Sequence, residues 1–439
     1  MVREEILGRE ASLVEKFGKM GCAYLGKVVS YPGGRYEEVG AVYVDITSPH
    51  MILVLGKRGT GKSYTLGVLA EGFGLLEPEF RDKIALVVVD TMSVFHSLKT
   101  PNTNPSEVAR MADFGGLKPK GFGDWVKIFL PKLSVERLKE VGTEIHYDGL
   151  LALPLGEIDV SDWLSLFGLD LTSPIASLLI RTLESLKRKK SQFGFRDITQ
   201  EIHAQSGSEQ TKETLEGLFQ MAEKIGVFDE VGTPLEKFVA PGQLSVLDIS
   251  FLGRIAGFDV RTLVVALIGR RLLAERTLYT TLEMQSEAGL VQTKIDKDLT
   301  KKHPLVYLLI DEAHLFLPAQ GTTLASEVLI DWIKLGRHPG LSLILATQEP
   351  SALHPSAVRQ ADLIIAHNVT SQDDVEALGK AKQSYMVGDQ NIQKIVSTME
   401  TKRGLAVIFD DKTRKMEMCR VRPRLSLHSG ADASALPRD

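Results

Sequence analysis

Short, nearly continuous apolar runs recur along the chain, at Met51 to Leu55, Ile84 to Val89, Leu305 to Ile310, Leu341 to Thr347 and Leu363 to Ala366. Each is stopped by polar or glycine-rich residues, and none alternates apolar with polar positions over its length. That is the pattern of strands buried on both faces. Val126 to Leu130 and Leu244 to Leu247 read as further strands. Between the runs the spacing turns helical: a helix-forming run from Tyr64 to Glu71, and Val260, Leu263, Val264, Leu267 and Ile268 opening a long helix to about Ala288. A helix over Leu324 to Leu335 follows. Strands alternating with helices predict an α/β fold with a mostly parallel sheet covered on both sides.

The flanks are different. Residues 1–48 hold a polar helical piece around Ala11 to Phe17 and β-like runs at Ala23 to Val29 and Ala41 to Ile46, with Pro32, Gly33 and Gly34 as a turn between them. That is too little for an independent core, so this short β-containing extension is expected to pack on the main sheet. From about Ser134 to Val239, Ile175, Leu178, Leu179, Leu183 and Leu186 share one helical face, as do Leu215, Leu218, Phe219 and Ala222. The predicted organisation is an extension at 1–48, an α/β core at 49–133 and 240–425, a helical insertion at 134–239, and a tail at 426–439. The core closes on a hairpin of Gly404 to Phe409 with Lys415 to Val421, and the polar tail from Ser426 is expected to be disordered.

Composition narrows the class. A chain of 439 residues, 44% hydrophobic and 25% charged, has the balance of a globular protein, and no apolar run approaches a membrane span. The best candidate, Leu263 to Ile268, is stopped by Arg270 and Arg271. The first residues lack a signal peptide's apolar core. The two cysteines, Cys22 and Cys419, form no ligand pattern or disulfide framework, which points to a reducing cytoplasm. With 52 basic and 56 acidic residues the net charge is −4, so any nucleic acid contact has to be local. Lys118 and Lys120, among glycines, and the run Lys187 to Lys190 are candidates for such contacts. They equally suit solvated loop lysines and a helix C-terminus favoured by its dipole.

The chemistry gathers around Gly56, Lys57, Arg58, Gly59, Thr60, Gly61, Lys62 and Ser63, with Tyr64 next on the following helix. The stretch fits G-x-x-x-x-G-K-[ST] at every fixed position, between a strand and a helix, which is the context of a phosphate-binding loop. Glycines let successive N–H groups turn onto phosphate oxygens at a helix N-terminus. Lys62 is expected to reach the β and γ phosphates, and Ser63 to hold Mg²⁺. Asp311 and Glu312 close the run Leu308 to Ile310, at the strand end where ligands collect in parallel sheets. Asp311 suits the Mg²⁺ shell, and Glu312 suits a base that deprotonates water for in-line attack. Gln348 follows the strand Leu341 to Thr347 and lies at the same end, placed to contact the γ phosphate or the water. Arg337 precedes that strand, roughly 23 Å away at about 3.3 Å per residue: as an arginine finger it would have to serve a neighbouring subunit's nucleotide, and it also suits a surface arginine near a helix C-terminus.

Taken together, Gly56 to Ser63, Leu308 to Leu317, Leu335-Gly336-Arg337, and Ala346-Thr347-Gln348 with Pro350 and Val358 to Ala366 resemble the HerA branch of the HerA/FtsK ATPases. The resemblance covers roughly residues 25–115 and 240–422. It implies a RecA-like P-loop NTPase core in a hexameric ring that hydrolyses ATP with Mg²⁺ and pumps duplex DNA, often beside a nuclease. It also implies that Arg337 is an arginine finger supplied in trans. This chain departs from the pattern at His338, where the family commonly has Lys, and at Glu349, where Arg is frequent. The N-terminal barrel that docks a nuclease is shortened to about 48 residues. The alternative function is an ATPase that remodels a protein partner without threading DNA. Two lookalikes are set aside: Thr293 to Asp296, which imitates a guanine-reading motif but precedes the Asp311 strand, and His314, read as a helix-start residue.

Overall fold

The computed structural model describes residues 3–30, 37–143, 145–255, 258–290, 303–369, 371–381 and 404–429. Among these, the strands in chain order are β1 (Arg3–Leu7), β2 (Cys22–Ser30), β3 (Glu37–Asp45), β4 (Met51–Leu55), β5 (Ile84–Asp90), β6 (Val126–Leu130), β7 (Gly149–Leu150), β8 (Leu153–Pro154) and β9 (Phe228–Asp229). They continue with β10 (Leu244–Asp248), β11 (Arg254–Ile255), β12 (Phe258–Asp259), β13 (Leu305–Ile310), β14 (Leu341–Thr347), β15 (Leu363–Ala366), β16 (Leu405–Asp410) and β17 (Lys415–Val421). Thirteen of them form one sheet in the order β1-β3-β2-β17-β16-β15-β4-β14-β13-β5-β10-β6-β7. From β15 to β7 every neighbour is parallel. From β15 to β3 the pairs are antiparallel, and β1 then adds parallel to β3.

The apolar runs have the expected consequence. Along β13, Val306, Leu308 and Ile310 enter one core while Tyr307 and Leu309 enter the other, and all five are buried. The first core lies under the helices Val260–Glu287 and Ser326–Leu335 and the insertion, and the second under the helix Lys62–Gly74. Burial on both faces leaves the strand ends as the places for polar chemistry. The carboxyl ends of β4, β14, β13, β5 and β10 share one edge, which is where Gly56 to Ser63, Gln348 and Asp311 sit.

The segment expected to be helical contains the helices Lys132–Glu140, Val160–Leu166, Pro174–Lys189, Phe195–Ala204 and Glu209–Glu223. Ser173 and Ser208 cap two of them by accepting from the backbone N–H groups of Ala176 and Thr211. Trp163 packs against Phe167, Phe219 and Phe228 with ring centroids 5.2, 5.0 and 5.3 Å away. That cluster is continuous with the sheet's own core, and β7 extends the main sheet into the insertion. The basic run is occupied locally: Lys187 donates to the Ile158 carbonyl at 2.8 Å, and Lys189 and Lys190 pair with Glu201 and Asp197, each at 2.6 Å.

The extension joins the core as strands of the same sheet, β2 pairing with β17. A buried staple fixes it, with His50 Nδ1 2.7 Å from Asp362 and Nε2 3.6 Å from Asp45, which also binds Arg9 at 2.7 Å. The tail departs from expectation at its start. Ser426 is fully buried, and its N–H and hydroxyl donate to Glu71 at 2.9 and 2.6 Å. Glu71 also receives Arg422 at 2.6 Å, so Ser426 belongs to an internal network rather than to a solvated end. Residues 430–439, and the lookalike at Thr293 to Asp296, lie outside the described residues.

Candidate active site

Gly56, Gly59 and Gly61 have φ of 153°, 75° and 111°, so the loop after β4 uses backbone angles that side chains rarely adopt. At Gly56 space is also lacking: a Cβ there would lie 2.6 Å from Thr60 Oγ1 and 2.7 Å from His367 Cβ. The loop is tied across its base by Thr60 Oγ1 donating to the Lys57 carbonyl at 2.7 Å. Lys57, Arg58 and Gly59 form its exposed crest, and the helix begins at Lys62. Unpaired N–H groups at that helix start make an anion site.

Lys62 is 6% exposed, and its ammonium donates to the Lys57 carbonyl at 3.0 Å. Burial lowers its pKa, against the pull of Glu312 and Asp311. Ser63 Oγ donates to Asp311 Oδ2 at 2.7 Å, joining the loop to the end of β13. Burial raises the Asp311 pKa, opposed by that bond and by the Glu312 N–H donating at 2.9 Å.

Glu312 adopts φ 52° and ψ 48°, a left-handed conformation that costs a non-glycine residue about 1 kcal/mol or more. The turn throws its carboxyl across to β14, where Gln348 Nε2 donates to Oε1 at 3.3 Å. Burial, and then the charge of Asp311, raise the Glu312 pKa. His314 Nδ1 lies 3.1 Å from Thr347 Oγ1, and the Glu349 N–H donates to that oxygen at 3.1 Å. Lys62, Ser63, Asp311, Glu312 and Gln348 therefore converge at one edge. Tyr64 sits on the helix's first turn, and its hydroxyl accepts from the Arg424 N–H at 2.7 Å.

Arg337 is not part of this cluster. It is exposed in the turn that enters β14, at the opposite end of the seven-residue strand from Gln348. Arg276, 9% exposed, holds that turn, its Nε donating to the Pro339 carbonyl at 2.7 Å and its Nη1 to the His303 carbonyl at 2.5 Å. Gly340, with φ 77°, completes the turn where a Cβ would meet Leu305 Cδ2 at 2.4 Å.

Some of the site's residues carry no motif. His367 is fully buried under the loop, with Nδ1 2.9 Å from the Leu405 carbonyl and Nε2 2.8 Å from Thr65 Oγ1. Burial pushes its pKa down to about 4, so it is a neutral support. The Asn368 carbonyl accepts from the Lys57 N–H at 3.0 Å. Only the pairing of β15 with β4, which sets Ala366 opposite Leu55, brings these residues under Gly56. A second acidic pair, Asp90 and Asp248, lies in register on β5 and β10 beside β13. Burial and Asp248 push the Asp90 carboxyl up to about 6. Asp248 accepts from Ser93 Oγ at 2.8 Å and lies 2.7 Å from His96 Nε2.

A left-handed glycine loop opening a helix, a buried lysine, and a hydroxyl–carboxylate pair on a mostly parallel sheet define a RecA-like P-loop NTPase. The family model described as "Helicase HerA, central domain" matches residues 24–271, more than half of the chain, and the chain belongs to that family. Among curated relatives, it is 28% identical over 92 residues to a probable DNA double-strand break repair helicase HerA of Methanocaldococcus jannaschii. That stretch is 21% of this chain and 18% of the relative. VirB4 of Thermoanaerobacter pseudethanolicus is similar in structure with a TM-score of 0.48 and 14% identity, covering 92% of this chain and 96% of that one. The genome packaging NTPase B204 of Sulfolobus turreted icosahedral virus 2, solved with ATP-gammaS, has a TM-score of 0.35 and 13% identity, covering 84% and 96%. Among the described residues no helix is long and apolar enough to cross a membrane.

Proposed function

We propose that this chain is an ATPase of the HerA type, whose subunits assemble as a hexameric ring and drive duplex DNA through its centre.

ATP binds along the loop from Gly56 to Ser63, and Lys62 leaves the Lys57 carbonyl for the β and γ phosphates. Ser63 and Asp311, already 2.7 Å apart, supply two oxygens of the kind Mg²⁺ takes, and the ion would neutralise charge on the phosphates. Glu312 and Gln348 orient a water against the γ phosphorus. Its oxygen forms the new P–O bond as the bond to ADP breaks, and its proton passes to Glu312. The raised pKa of Glu312 suits that role.

The observation that carries the reading is the convergence of Lys62, the Ser63–Asp311 pair and the Glu312–Gln348 pair at one sheet edge. The exposure of Arg337 at the other end of β14 supports its role as a finger offered to the next subunit. The free thiols of Cys22 and Cys419 fit a reducing cytoplasm, and a nuclease or other effector is a further candidate partner, as the HerA resemblance implies.

A second reading, remodelling of a protein partner, is favoured by the net charge of −4 and by the local pairing of Lys189 and Lys190. ATP turnover at low salt with and without duplex DNA separates the two, because phosphate contacts are strongest there. Stimulation by DNA is expected of a translocase. Turnover that ignores DNA transfers the proposal to the protein-directed reading.

A further inference from the structure

Glu312 presents its two carboxylate oxygens to different surroundings. Oε1 accepts from Gln348 at 3.3 Å, whereas Oε2 is buried and has no hydrogen-bond partner among the described residues. A carboxylate oxygen withdrawn from water and left unpaired is unfavourable, so a donor within short reach is significant. His314 Nδ1 is 3.6 Å from Oε2, just beyond hydrogen-bond length, and 3.1 Å from Thr347 Oγ1. The short turn Ala313–Leu315 sets the imidazole between the two. Thr347 has a second partner in the Glu349 N–H, at 3.1 Å, and keeps it if the imidazole turns away.

We infer that His314 is a positioning residue for Glu312, transferring its Nδ1–H from Thr347 Oγ1 to Glu312 Oε2 when nucleotide fills the loop. A movement of about half an ångström brings that pair to hydrogen-bond length. With Oε2 held, the carboxyl plane is fixed and Oε1 faces the water beside Gln348. Burial lowers the His314 pKa, in keeping with a neutral ring that has one N–H to give. The inference rests on Glu312 acting as the base.

The test uses the full chain, with ATP turnover and binding of a fluorescent ATP analogue measured for the wild type, His314→Ala, His314→Asn and Glu312→Gln. His314→Ala is expected to lower kcat about tenfold to a hundredfold, the scale of a misplaced reacting group, with KM and analogue affinity within about twofold. His314→Asn, whose amide N–H stands near the place of Nδ1, is expected to recover part of that loss. In the Glu312→Gln background, His314→Ala should have no further effect, because the group it orients is gone. Unchanged kcat in His314→Ala, equal losses in both backgrounds, or a fall in affinity matching the fall in kcat overturns the inference. A wild type that turns over no ATP, or an unimpaired Glu312→Gln, removes the base and this inference together. An active wild type with a dead Glu312→Gln and an unaffected His314→Ala removes only the inference.

Discussion

Mixing two inactive variants gives the sharpest test of how the site is completed. Arg337 and Gln348 flank the seven residues of β14, which at about 3.3 Å per residue sets them roughly 23 Å apart, longer than any side chain. A finger at Arg337 therefore acts on a neighbour. Arg337→Ala removes the finger and keeps the base, while Glu312→Gln does the reverse, and each alone is expected to lose about 10³-fold or more of its turnover. In rings assembled from equal amounts of both, an interface works when an Arg337→Ala subunit supplies the nucleotide site and a Glu312→Gln subunit supplies the finger. Random assembly makes about a quarter of the interfaces productive, whatever the ring size. ATP turnover of the co-assembled mixture is thus expected to reach about a quarter of wild type if the interfaces fire independently. A mixture no more active than its two components, or an Arg337→Ala variant with wild-type turnover, refutes the reasoning.

Other perturbations test how the site is supported. Arg276→Met removes the donors to the Pro339 and His303 carbonyls, so turnover should fall as in Arg337→Ala while binding of an ATP analogue is kept. Glu71→Ala leaves the fully buried Arg422 and Arg424 without their shared carboxylate, and urea unfolding should show a loss of about 3–5 kcal/mol. His50 gives a pH signature: burial lowers its pKa, but hydrogen bonds to Asp362 and Asp45 outweigh this and leave it raised. Burial raises the Asp362 pKa, but the bond to His50 brings it below its usual value. The His50 contribution is complete below about pH 6.5 and is lost as pH rises through the raised value; that of Asp362 is complete above about pH 4 and is lost on acidification. The stability gap between wild type and His50→Asn, followed by urea unfolding, should therefore be widest between about pH 4 and 6.5 and narrow on either side.

The strands of the parallel block were legible because burial on both faces demands unbroken apolar runs, and Met51 to Leu55 and Leu341 to Thr347 match β4 and β14 residue for residue. The loop was legible because phosphate binding at a helix start requires glycines and a lysine at fixed spacing. Residues whose roles depend on which strands lie side by side were not. His367 acquires its place from β15 lying beside β4, and Arg276 from a helix passing the turn before β14; neither position stands out from its neighbours in sequence. Ser426 was misread for the same reason, since a serine bonded to a buried glutamate has the same letter as one facing water.

The pairing of β2 with β17 also sets a schedule for synthesis. Cys419 lies against Val28, so the seam between them cannot close until nearly all of the described chain has left the ribosome. Until then β2 presents an open hydrogen-bonding edge, the sort of surface to which another nascent copy can add. Contacts so distant along the chain slow folding, and a cell making this protein would gain from a chaperone that shields that edge while the last strands emerge.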